Sequence, residues 1–66
     1  MHKFKSDQLT EREHMVLELL SAGLTDREIA TALSLSWATA RTHVDRIREK
    51  LYVHTRTALV AYAILY

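Results

Sequence analysis

The pattern Thr-x-x-Glu occurs twice in the first half of this chain, as Thr10-Glu11-Arg12-Glu13 and as Thr25-Asp26-Arg27-Glu28, and it fixes where two helices begin. In each copy the threonine hydroxyl can accept from the backbone N–H three residues on, while the glutamate reaches back to the threonine N–H. Two of the orphan donors of a helix start are satisfied at once. Nothing else in the sequence offers a competing architecture. With no proline and a single glycine among 66 residues, the turn chemistry that strands and hairpins need is missing, so the expected fold is all-α.

After the first signal, Met15, Val16, Leu19 and Leu20 recur at helical spacing with Glu11, Arg12 and Glu18 on other faces, and Gly23 can supply a left-handed C-terminal cap. A first helix therefore runs from about residue 11 to 22. The second signal opens a short helix over residues 26 to 33, with Ile29, Ala30, Ala32 and Leu33 as its apolar stripe and Ser34 as a polar stop. Ser34-Leu35-Ser36 is a tight link, in which Leu35 can plug into the core. Ser36 is a good N-cap for a longer third helix from Trp37 to about Leu51. On that helix Ala40, Val44, Ile47 and Leu51 form the core-facing stripe, and Ala38, Arg41, Thr42, Asp45 and Arg48 fall on the opposite face. Tyr52-Val53-His54 breaks the pattern, and Thr55 caps a fourth helix from about Arg56 that is apolar on nearly every side. Such a helix needs two partners. The expected ones are the first helix and the same helix of a second chain, with Leu59, Tyr62, Ala63 and Tyr66 at the interface.

Several classes of function are excluded or disfavoured by composition. The length allows one small domain, read as a flexible basic arm over residues 1–8 and a folded unit over 9–66. No cysteine is present, so there is neither a disulfide staple nor a thiolate metal site. The basic start lacks the apolar stretch of a secretory signal, and the apolar run from Ala58 to Tyr66 is too short to span a bilayer, so a soluble cytoplasmic protein is expected. His2, His14, His43 and His54 lack the i, i+4 pairing that puts two ligands on one helical face, and neither metal nor cofactor is expected. No nucleophile stands beside a base and no glycine-rich phosphate loop occurs, so an enzyme is the weakest class. The net charge of +1 decides little, but its distribution does: residues 1–8 carry +1, residues 9–35 carry −3 and residues 36–66 carry +3.

A short helix, a link of about three residues and a longer helix with a partly basic outer face is the helix-turn-helix arrangement, in which the second of the pair enters the major groove of DNA. Ala30 sits where the two helices approach most closely. The runs from Leu9 to Glu13 and from Val16 to Ala30 resemble the LuxR-type (GerE-like) family almost position for position. Ser36, Thr39, Arg41, His43, Ile47, Lys50-Leu51, Val53 and Arg56-Thr57 continue the match over residues 9 to 63. The resemblance implies four helices, the second and third forming the DNA-binding pair and the fourth mediating dimerisation. Most members attach this unit to a receiver or sensor domain; a chain with its own Met1 and no room for a sensor resembles the stand-alone type. Two positions depart from the pattern. Ala40 replaces the usual valine and trims the core by about 1–2 kcal/mol unless a neighbour such as Trp37 fills the space, and Tyr52 stands where glycine would end a helix more easily.

Arg41, one turn into the third helix, is the leading candidate for DNA contact, since a guanidinium can pair with guanine or grip a phosphate. Ala38 lies on the same face, and Thr42 and Asp45 extend it to positions from which the resemblance implies base contacts. A carboxylate beside phosphates is repelled, so Asp45 is expected first to orient Arg41 or Arg48 through an ion pair. Accepting from cytosine and marking weakened DNA binding are the alternatives. Thr25, Ser36 and Thr39 lie at helix N-termini that favour phosphate, besides their capping role. Trp37 is a candidate for packing on sugar and phosphate or for filling the gap beside Ala40, with core or rim packing expected first. Arg46, Arg48, Lys50 and Arg56 are expected as phosphate neighbours or salt-bridge partners, with a tie to Glu13 or Glu28 as the alternative for Arg56, and His43 is expected to be packed and hydrogen-bonded. Together these features predict a homodimeric regulator of transcription that reads an inverted repeat in double-stranded DNA. The rival is a helix-turn-helix-derived protein that binds another regulator or RNA polymerase, motivated by the modest net charge, by Asp45 and by the apolar fourth helix.

Overall fold

Every helix begins at a residue carrying a hydroxyl. The computed structural model describes residues 8–65 and orders them as α1 (Glu11–Ser21), α2 (Asp26–Leu33), α3 (Trp37–Leu51) and α4 (Arg56–Leu65). Apart from Gln8, the basic arm expected over residues 1–8 lies outside this range, as does the interface candidate Tyr66. Both capping boxes form in full: Glu13 N–H donates to Thr10 Oγ1 at 3.1 Å and Thr10 N–H to Glu13 Oε1 at 2.9 Å, with 3.2 and 2.8 Å for the Thr25–Glu28 pair. Ser36 and Thr55 cap α3 and α4 by accepting from the amides of Thr39 and Ala58.

The stops share one device. After α1, α2 and α3 the chain turns through a left-handed residue, Gly23 (φ 93°), Ser34 (φ 57°) and Tyr52 (φ 57°). In each case the next residue donates back into the last turn: Leu24 to Leu19, Leu35 to Ala30 and Val53 to Arg48, at 2.8–3.1 Å. Leu24 and Val53 then fold onto the core, and Leu35 is half-buried. Glycine adopts this conformation freely, whereas for serine and tyrosine it costs about 1–2 kcal/mol.

α1 packs against α3 and α4, and α2 packs against α3. Among the described residues eleven apolar side chains form the core, including Val16, Leu20, Ile29, Ile47 and Leu59, these five less than 2% exposed. The α3 stripe of Ala40, Val44, Ile47 and Leu51 is buried as the periodicity predicts. On α1 the structure corrects the expected stripe of Met15, Val16, Leu19 and Leu20: Leu17 is buried with Val16 and Leu20, while Met15 is exposed and Leu19 is only half-buried. The face selected is the one that also carries Glu13, because α3 offers that carboxylate a cation.

Glu13 is 3% exposed. Its Oε1 accepts from Thr10 N–H and from Lys50 Nζ at 2.7 Å, and Lys50 Nζ also reaches the Gln8 carbonyl at 3.4 Å. Burial alone would raise its pKa, but the hydrogen bond from Lys50, the Thr10 amide and the Lys50 charge outweigh it and hold the carboxyl below its ordinary value. A depressed folded-state pKa contributes stability that is present above the unfolded value of about 4.3 and is lost as pH falls through the folded one. Thermal unfolding followed by circular dichroism should therefore show a fall in Tm between pH 6 and pH 3 that Glu13→Gln flattens; an equally steep fall in the variant would remove Glu13 from the account. The left-handed caps predict opposite signs at equivalent positions. Gly23→Ala should cost about 1 kcal/mol although nothing lies within 4 Å of the added methyl, whereas Ser34→Gly and Tyr52→Gly should each gain about 0.5–1 kcal/mol, read as urea midpoints.

Candidate nucleic-acid interface

The unit formed by α2, the link and α3 is set by three local features. Ser34 turns left-handed and ends α2, Ser36 restarts the chain as α3, and Ala30 and Ala40, both buried, contribute only methyl groups to the core between them. The packed pair α2 and α3 is thus joined by a link with fixed ends, and the face of α3 away from α1 and α2 is presented outward. At about 100° per residue that face centres on Ala38, Thr42 and Glu49; all three are exposed, as are Arg41 and Arg46 toward its two edges.

The cations divide into two groups. Arg48 donates to Asp45 at 3.0 Å and to the His54 carbonyl at 3.0 Å, which ties the end of α3 to the link before α4. Lys50 is engaged by Glu13. Arg56 pairs with Asp26 and donates to the Leu24 carbonyl at 3.1 Å, joining the starts of α4 and α2. The expected partner of Arg56 was Glu13 or Glu28; Glu13 is taken by Lys50 and Thr10, and Glu28 folds back onto the Thr25 amide, which leaves Asp26. Among the described residues, Arg27, Arg41 and Arg46 form no ion pair. Instead Arg27 and Arg41 both lie over the Trp37 ring, at 5.1 and 5.4 Å from its centroid.

Hydroxyl groups divide in the same way. Ser36 donates to Thr39 Oγ1 at 2.8 Å and Thr42 to the Ala38 carbonyl at 3.0 Å, so their protons are used internally. Thr25 Oγ1 and Thr39 Oγ1 act only as acceptors among the described residues, which leaves their protons for an anion at the starts of α2 and α3. Trp37 is 45% exposed and borders a cleft of ≈ 530 Å³ lined also by Leu24, Thr25, Asp26, Arg27 and Val60. It is a rim residue and not a filler of the core. His43 is half-buried, but its buried Nδ1 has no partner among the described residues, so the expected hydrogen bond does not form. No cluster of His, Asp or Glu suited to a metal occurs among the described residues, and none of their helices is long and apolar enough to cross a membrane.

Two further residues depart from the sequence reading. Arg27 read only as the middle of a capping box, yet it shares the Trp37 ring with Arg41; a tryptophan at the first position of the next helix was the available signal. Leu59, expected to meet a second chain, is fully buried in the core of its own and has no surface to offer. Tyr62 and Ala63 are half-buried against the same core, and the exposed residues of α4 are Thr57, Ala58, Ala61, Ile64 and Leu65.

Residues 7–63 match the family described as bacterial regulatory proteins, luxR family. The chain is 42% identical over 59 residues to the transcriptional regulatory protein MctR of Rhizobium johnstonii, covering 89% of this chain and 28% of that protein. It is 44% identical over 57 residues to the response regulator protein VraR of Staphylococcus aureus and to that of Staphylococcus epidermidis, covering 86% of this chain and 27% of each. The chain thus spans just over a quarter of the length of these curated relatives.

Proposed function

Because this chain belongs to the luxR family of bacterial regulatory proteins, we propose that it is a regulator of transcription that binds double-stranded DNA in the cytoplasm, with α3 in the major groove and α2 braced across the backbone. The observation that carries this is the outward face of α3, where Arg41 and Arg46 are exposed and outside the ion-pair network while Ala38 and Thr42 lie between them. On this reading Thr42 reaches toward base edges, while Arg41 grips the phosphates along one flank and Arg46 meets a phosphate on the other. Thr25, Ser36, Thr39 and Trp37 surround the starts of α2 and α3, where backbone amides and the hydroxyl protons of Thr25 and Thr39 favour phosphate. Asp45, Arg48 and Lys50 act through position: the Asp45–Arg48 pair is neutral toward the backbone and fixes the end of the reading helix.

A second copy would double the contacts. Ile64 and Leu65 are 64% and 73% exposed, and the small residues Ala58 and Ala61 on the same side let two helices approach closely, which supports a homodimer through α4 in place of the Leu59 contact. A two-fold axis then asks for an inverted repeat. RNA polymerase remains a further proposed partner of the assembled complex.

Binding sites selected from a random DNA pool provide the probe. Arg41→Glu should lower affinity for the selected site about ten- to a hundred-fold, and wild-type affinity should fall steeply between low and physiological salt. Unchanged binding by the variant to every selected DNA would sink the α3 interface. For the dimer, Ala61→Glu should shift sedimentation at micromolar concentration from dimer to monomer with helicity retained. A wild-type chain that sediments only as a monomer, with and without DNA, would rule the α4 contact out.

A further inference from the structure

Tryptophan is an odd choice for the first residue of α3. The position is outside the core, 45% exposed, and the ring serves neither a cap nor the stripe that holds the helix in place. What it does hold is two guanidiniums from two different helices, Arg27 of α2 and Arg41 of α3, each about 5 Å from the ring centroid. Tryptophan offers the best aromatic face for a cation.

The chemistry of that arrangement differs from an ion pair. A carboxylate would consume both the charge of an arginine and its N–H donors, as Asp45 does for Arg48 and Asp26 for Arg56. Stacking on a ring orients the guanidinium plane but leaves its edge, with five N–H donors, and its full charge available. Neither arginine is ion-paired to the nearby acids among the described residues: Asp26 and Asp45 are engaged by Arg56 and Arg48, and Glu28 folds back onto the Thr25 amide. Two like charges gathered at one ring repel each other, and an anion between or beside them removes that cost. Each arginine is also rich in rotamers, and part of that freedom is lost on the ring before any ligand arrives, so less is lost on binding.

We propose that Trp37 is a positioning residue that holds Arg27 and Arg41 as a preset pair of phosphate-gripping guanidiniums, extending the DNA interface from the reading helix α3 onto the bracing helix α2. This rests on the DNA-binding function proposed above. The ligand is the phosphodiester backbone of a duplex.

Trp37 is the sole tryptophan of the chain, so its fluorescence reports on this site alone. Titration of the intact chain with a random-sequence duplex of about thirty base pairs should change the emission, while inorganic phosphate at the same ionic strength should not. Saturation by inorganic phosphate would assign the pair to a free anion and overturn the clamp. In anisotropy measurements with the same duplex, Arg27→Ala and Arg41→Ala should each lower the slope of log K against log salt by about one. Arg12→Ala, which removes an exposed arginine of α1, should leave it unchanged. Trp37→Ala should weaken binding several-fold with the salt slope retained, since both charges stay, and Trp37→Phe should restore most of the loss at unchanged circular dichroism. If Arg27→Ala behaves like Arg12→Ala while Arg41→Ala still weakens binding, the clamp is wrong and the α3 interface stands. If neither variant nor Arg41→Glu alters binding, both fall.

Discussion

One buried carboxylate sets the frame of this domain. Glu13 closes the start of α1 by accepting from the Thr10 amide and, through the same oxygen, receives Lys50 from the far end of α3. A charge so buried is tolerable only while its partner is in place. The requirement therefore fixes how far along α1 the end of α3 must lie. With Leu51 buried beside it and α1 also packed on α4, the axis of α3 is defined relative to the rest of the molecule. The Asp26–Arg56 pair does the corresponding work at the other side, joining the first turns of α2 and α4. α3 is thus referenced to α1 at its C-terminal end by one ion pair, and α2, the helix packed beside it, is tied to α4 by another.

These pairs also redistribute charge. The basic excess of residues 36–66 suggested a broadly positive α3, but Arg48, Lys50 and Arg56 are each turned toward a carboxylate. What is left outward is sparse: Arg41 and Arg46 on α3, with Glu49 between them on the exposed face and Arg27 close by on α2. A surface of this kind attracts a polyanion only weakly through its mean field, and discrimination must come from where each guanidinium is held. The stacking of Arg27 and Arg41 on Trp37 fits that requirement, because it restricts the side chains without cancelling their charge.

Most of the backbone was legible in the sequence, and for local reasons. Thr10, Thr25, Ser36 and Thr55 mark the starts, and Gly23, Ser34 and the Tyr52-Val53 break mark the stops; each signal acts within four residues of itself, so helix bounds fall within a residue of their expected places. Side-chain partners were less legible, because they depend on helices distant in sequence. Periodicity could not choose between Met15 and Leu17 on a helix with two apolar flanks, nor tell that Leu59 faces its own core when nearly all of α4 is apolar. Arg56 had two acidic candidates, Glu13 and Glu28, and both are engaged elsewhere, which leaves it to Asp26. The Arg27–Trp37 contact spans two helices and the link, and no pattern within either helix contains it.

The link carries a tension between geometry and stability. Redirecting the chain from α2 to α3 in three residues requires a left-handed turn, and this sequence supplies it with Ser34, then repeats the choice with Tyr52 before α4. Each costs about 1–2 kcal/mol relative to an unstrained residue, in a domain whose size permits only a few kcal/mol of net stability. The left-handed turn is therefore affordable only because Leu35 and Val53 each close a backbone bond behind it and move toward the interior. At the same time Ile64 and Leu65 leave apolar surface at the end of α4 uncovered. Covering that surface with a second chain would stabilise the folded form by mass action. Folding, dimerisation and the placement of two reading helices on one DNA would then be linked equilibria, each drawing on the same α4.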